Sequence, residues 1–193
     1  MTERPRLGHP ARVGGDGDPV VFAADEQSEV LVDLPRWAAL AEAMLRAEGV
    51  RGHAEVSLLF VETDEMSRLN EQFMDSAGPT DVLAFPIDAP EAGFGPRPWL
   101  AGPDRPPPDP SDEPLLLGDV VVCPAIAVAN APTHAGTVDD ELALLVVHGL
   151  LHVLGHDHAL PDETARMRAR ELALLEELHW RGPAPAGFRA EQD

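Results

Sequence analysis

The chain has 193 residues, 44% of them hydrophobic, which suffices for one sizeable core and makes a single domain the expectation. Its formal net charge is −20, with all 14 cations Arg and no Lys, so a general nucleic-acid-binding surface is disfavoured and any RNA must meet a local basic patch. No apolar run is long enough to cross a bilayer, no basic-then-apolar signal pattern opens the chain, and the single Cys123 excludes an internal disulfide framework, so a cytoplasmic protein is expected.

Residues 1–19 are rich in Gly, Pro and charge without periodicity, and are expected to be disordered. Val20 to Ala24 is a short β-type run. Asp33 is placed to cap a helix that starts with Pro35 in its first turn, carries Trp37, Leu40, Ala41, Met44 and Leu45 at helical spacing, and stops at Gly49. Ala54 to Val61 reads as a strand with Val56, Leu58 and Phe60 on one face. Thr63 is expected to cap a second helix running to about Phe73, and Val82 to Phe85 is a strand stopped by Pro86. Residues 89–114 hold nine prolines and are expected to be a flexible insertion. Leu115 to Cys123 is again a strand, closed by a Cys that reads as a small buried hydrophobe, and Pro124 to Ala131 a short helix.

Thr137 then caps a long helix, Asp139 to Leu154, and a last helix runs from Pro161 through Glu163, Met167, Leu174 and Leu178. The domain is bounded at about 20–180, with a flexible tail over 181–193. Strands alternating first with helices and then giving way to them predict an α+β fold, a small mixed sheet flanked by helices, with its functional site at the end of the long central helix.

That helix ends in His148-Gly149-Leu150-Leu151-His152-Val153-Leu154-Gly155-His156-Asp157-His158, where four of the chain's eight His fall within eleven residues. Side chains four apart on a helix stack on one face, so His148 and His152 can converge on one ion. Gly155 can reverse the chain and bring His158 back as a third ligand. Three imidazoles leave a fourth position open, as at a catalytic zinc site. Taken singly, each His has a plainer reading as a group favouring the helix C-terminal dipole. His156, between Gly155 and Asp157, reads as a neighbour rather than a ligand. The same offsets occur in the metzincin protease pattern H-E-x-x-H-x-x-G-x-x-H, but position 149 is Gly, so the general base of that chemistry is missing.

The segment His148 to His158 resembles the H-G-x-L-H-x-x-G-[YH]-D-H signature of the YbeY family, bacterial endoribonucleases that act in ribosomal RNA maturation. Leu69-Asn70, the block Gly78 to Pro86 and the strand Leu117-Gly118-Asp119-Val120-Val121-Val122-Cys123 are similar to further family blocks, so the likeness runs in order from about Val20 to Leu178. The resemblance implies one zinc ion on His148, His152 and His158, and cleavage of single-stranded RNA. It implies roles in small-subunit ribosomal RNA 3′-end processing and ribosome quality control, with small-subunit ribosomal proteins and a ribosome-assembly GTPase as partners. Asp157 has two equal readings, a group orienting a ligand His or a turn residue at the helix end; Thr80 and Asp81 stand in a block the likeness sets beside the site, although turn chemistry explains them too.

The chain departs from the family at two positions. Met74 stands where many members carry an Arg thought to contact the phosphate backbone, and a thioether neither donates to phosphate nor offsets its charge. Either Met74 packs at a helix end and another cation, with Arg68 the candidate, meets the phosphate, or affinity comes from the metal and partners. Ala84 replaces the usual Ser. The competing expectations are a zinc-stabilised ribosome-assembly factor with little cleavage of its own and, less favoured, a metalloprotease.

Overall fold

A computed structural model describes residues 11–13, 18–87, 114–156 and 160–189. Its centre is the strand β3 (Ala54–Phe60), whose alternation turns Ala54, Val56, Leu58 and Phe60 into the core and Glu55, Ser57 and Leu59 to the other face. It pairs in parallel with β2 (Val20–Asp25) on one side and β5 (Leu115–Val122) on the other. The edges are antiparallel: β1 (Ala11–Val13) on β2, and β4 (Val82–Pro86) on β5. Among the described residues this makes one five-stranded mixed sheet in the order β1-β2-β3-β5-β4.

On one face lie α1 (Leu34–Ala47) and α4 (Val138–Val153), which supply Trp37, Met44, Leu45, Leu144, Leu145, Leu150 and Leu151 to the main core. Twelve of the sixteen residues of α4 are buried, so it is a core helix rather than an amphipathic surface one. On the other face α2 (Thr63–Met74) lays Met66 and Leu69 over Leu83, Phe85 and Val121, in a smaller cluster where Cys123 is fully buried. After α3 (Pro124–Asn130), the chain runs through α4 into α5 (Pro161–Leu174), which continues as a π-helical turn, Leu175–His179. The architecture is α+β, as expected.

A bulge in β5 sets its facing. Glu55 pairs with Leu116 and Val56 with Gly118, leaving Leu117 as the extra residue. Leu117 therefore shares the core face with Val120 and Val122 despite its odd spacing from Val120. A Cβ on Gly118, at φ +146, would run into the Phe85 carbonyl, so the tight approach of β4 requires glycine there.

Several boundaries differ from expectation. Ala11–Val13, inside the segment expected to be disordered, forms the edge strand β1, where Arg12 stands 6.0 Å from the Phe22 ring centre and Val13 packs on the core. Thr63 is the first helical residue of α2, not its cap: Glu62 is the cap residue, and Glu29 from a distant loop accepts from both the Thr63 backbone N–H and hydroxyl. Pro86 ends β4 as an edge-strand residue, where its missing N–H costs no ladder bond. The tail expected to be flexible is tied down as far as Arg189: Phe188 meets Trp180 edge-on at 4.7 Å, and the Arg189 N–H donates to the His134 carbonyl. The proline-rich segment 89–114 lies outside the described residues apart from Pro114.

Candidate metal centre

The centre is built on the last turn of α4. Thr137 caps that helix, its hydroxyl accepting from the Asp140 N–H at 3.1 Å, and the apolar body that follows carries His148 and His152 to its far end. There the helix closes in a Schellman motif: the Gly155 N–H donates to the His152 carbonyl at 2.8 Å and the His156 N–H to the Leu151 carbonyl at 2.9 Å. Gly155 takes φ +84, a conformation that glycine alone adopts cheaply. The reversal turns the His156 carbonyl back onto the helix.

The two rings lie as the i, i+4 spacing predicts, with centroids 4.6 Å apart and their Nε2 atoms 3.0 Å apart. Each ring is held by its other nitrogen. His152 Nδ1 lies 3.0 Å from the His156 carbonyl, and because a carbonyl only accepts, Nδ1 donates. His148 Nδ1 lies 2.6 Å from Glu171 Oε1 on α5, whose side chain is 4% exposed. Protons on both Nδ1 atoms direct both Nε2 lone pairs to one point. That donor set fits a divalent cation of borderline softness, with a carboxylate and a carbonyl setting the tautomers as at known metal-binding His.

Among the described residues no group of three or more His, Cys, Asp or Glu is able to hold an ion. Asp157 and His158 lie outside the described residues. The His156 ring is directed elsewhere: its Nε2 is 3.6 Å from Glu48 Oε2, at the C-terminal end of α1. Glu48 also accepts from Arg170 Nε. Burial pushes the Glu48 carboxyl up, but the His156 and Arg170 side chains outweigh it and hold the group below its ordinary range.

Position 149 has no room for a general base. Gly149 faces the sheet, where even a Cβ would meet Val120 Cγ1 at 2.5 Å and Val82 Cγ2 at 3.2 Å. Val120 is fully buried and, being β-branched, has little freedom to turn away. The glycine is a packing requirement of α4 on β4 and β5.

Asp81 organises the start of β4. Its carboxylate accepts from the Val82 N–H at 2.8 Å and from Asn130 Nδ2 at 3.1 Å, with the Thr80 hydroxyl at 3.3 Å. Ala84 is partly buried against the main core. Met74 is 48% exposed at the end of α2, beside Phe73 at 53%. Arg68 forms an ion pair with Glu65 on the exposed side of α2. Six residues separate it from Met74, so the two project roughly 120° apart around the helix. Glu171 was not predicted from the sequence. Its only local signal is a carboxylate four residues after Met167 and three before Leu174, on the apolar stripe of its helix.

The chain is similar to known proteins over most of its fold. Residues 22–179 match the family model described as endoribonuclease YbeY. Over 144 residues the chain is 44% identical to a protein of Salinispora tropica named endoribonuclease YbeY, covering 75% of this chain and 87% of the relative. A protein of Beutenbergia cavernae with the same name is 45% identical over 149 residues, 77% of this chain and 91% of its own length. The solution structure of a Thermotoga maritima protein shares the fold at a TM-score of 0.53 and 26% identity, covering 83% of this chain and 91% of that one. With a family model spanning most of the fold and relatives above 40% identity, the chain belongs to the endoribonuclease YbeY family of RNA-cleaving enzymes.

Proposed function

We propose that the chain is a zinc-dependent endoribonuclease that cuts single-stranded RNA in ribosomal RNA maturation, at the 3′ end of the small-subunit RNA, and in ribosome quality control. The observation that carries this reading is the convergence of His148 and His152 Nε2 with both Nδ1 atoms held by acceptors. His158 is the third ligand by motif spacing and resemblance, and Asp157 a group that orients a ligand ring. Glu171 and the His156 carbonyl keep the two rings from rotating, and the buried body of α4 fixes the helix that carries them. Zinc bound there supplies a Lewis acid that polarises a phosphoryl oxygen and lowers the pKa of water. A substrate of this kind makes the cytoplasm the expected compartment, with small-subunit ribosomal proteins and a ribosome-assembly GTPase as the expected partners.

One observation favours a second reading, that of a zinc-stabilised assembly factor with little cleavage of its own. Position 74 presents an exposed thioether instead of a guanidinium, on a chain of net charge −20. A metalloprotease is disfavoured by the packing around Gly149.

The separating experiment treats purified protein with a chelator, restores zinc, and assays single-stranded and duplex RNA of one sequence. Cleavage of the single strand alone, lost on chelation and recovered with zinc, is the expected result. Cosedimentation with the small ribosomal subunit in the absence of any cleavage supports the assembly factor.

A further inference from the structure

The C-terminal end of α1 reaches the metal centre through a relay the sequence motif does not contain. Glu48, the C-cap residue of α1, presents one carboxylate oxygen to each of two partners. Oε1 accepts from Arg170 Nε, and Oε2 faces His156 Nε2 at 3.6 Å. Arg170 also donates to the Ala47 carbonyl at 3.3 Å, which fastens α5 to the same helix end. The His156 Nε2 atom is buried with no hydrogen-bond partner among the described residues, so Glu48 is the group its ring is aimed at. The carbonyl of the same His156 receives Nδ1 of His152 at 3.0 Å.

We propose that Glu48 is a positioning residue for the metal centre, fixing the His156 turn and through its carbonyl the tautomer and rotation of His152. The geometry gives each link one job. Arg170 holds the carboxylate, the carboxylate holds the His156 ring, and the ring anchors the backbone whose carbonyl holds His152. A ligand imidazole that loses its Nδ1 acceptor loses both its preferred tautomer and its orientation. Without Glu48, the Gly155-His156 turn keeps its Schellman hydrogen bonds but His156 loses the ion-pair contact that ties its ring to the end of α1. This inference rests on the reading of His148 and His152 as metal ligands.

The test measures zinc affinity of the full chain by competition with a chromogenic chelator, and the visible spectrum of the Co2+-loaded protein, for wild type, Glu48→Ala, His156→Ala and the double variant. Glu48→Ala is expected to weaken zinc about tenfold and to shift the Co2+ bands, a signature that general destabilisation does not produce. The double variant is expected to be no weaker than the worse single one, because both act through one tie. Should Glu48→Ala fail to fold, the near-isosteric Glu48→Gln carries the same test. Zinc affinity and a Co2+ spectrum unchanged by the Glu48 variant overturn the proposal, as do additive losses in the double variant. A wild-type protein that takes up no zinc overturns the centre itself, and this proposal with it.

Discussion

Glu171 and Gly149 act on the His pair in different ways, one through its charge and the other through its lack of a side chain. The Glu171 carboxylate lies 2.6 Å from His148 Nδ1 and is almost wholly buried, so it sets the tautomer and the orientation of the ring. Glu171→Ala is therefore expected to weaken zinc binding about 10- to 100-fold, read by chelator competition; an unchanged affinity removes Glu171 from the centre. Gly149→Glu completes the protease pattern on paper, yet it drives a side chain into Val120 and buries a carboxylate without a partner. Overpacking of about 1–3 kcal/mol and an uncompensated buried charge of similar or greater cost predict a chain that unfolds at much lower urea and digests no casein. A stable, proteolytic Gly149→Glu variant contradicts the packing argument. The His spacing could be read from the sequence because the i, i+4 rule is local. Glu171 and Glu48 could not, because their partners lie 23 and 108 residues away and neither segment shows its own burial.

The helix α4 links the centre to the rest of the fold, and its two ends are held by different chemistry. At the N-terminal end the Asp140 carboxylate accepts from the Thr137 hydroxyl at 2.6 Å, from Trp180 Nε1 at 2.6 Å and from His179 Nε2 at 2.9 Å, joining α4 to the π-helical turn. Burial raises the Asp140 carboxyl, but these hydrogen bonds and the charge of His179 outweigh it and lower it below its ordinary value. A carboxyl depressed in the folded state contributes stability above its unfolded pKa and loses it as pH falls through the folded one. The stability gap between wild type and Asp140→Asn, measured by urea unfolding, is therefore expected to be full at neutral pH and to narrow as pH falls below about 4. A gap independent of pH contradicts the assignment. At this scale the sequence predicted most elements, since period-2 alternation in Ala54–Phe60 and the Thr137 cap are local signals. It erred where distant residues take over: Glu29 holds the first turn of α2, and Trp180 and Phe188 fasten a tail that looked unstructured.

Across the whole molecule the problem is to bring a polyanion to a chain of net charge −20. A divalent ion bound as proposed would add local positive charge that the total does not reveal, and Met74 is a half-exposed, uncharged position at the end of α2. Met74→Arg replaces a half-exposed thioether, so folding is expected to be unaffected. RNA binding at low salt is expected to tighten a few-fold, with a salt dependence steeper by about one counterion; an unaltered salt slope removes that position from the RNA path. RNA cleavage through an ion held by the His pair is the proposal on which the rest depends. It is tested most directly by incubating a small-subunit ribosomal RNA precursor with the wild-type protein and with an identically purified His152→Ala variant. Cleavage by the wild type and none by the variant is the expected result. Equal cleavage by both, or none by either, contradicts it.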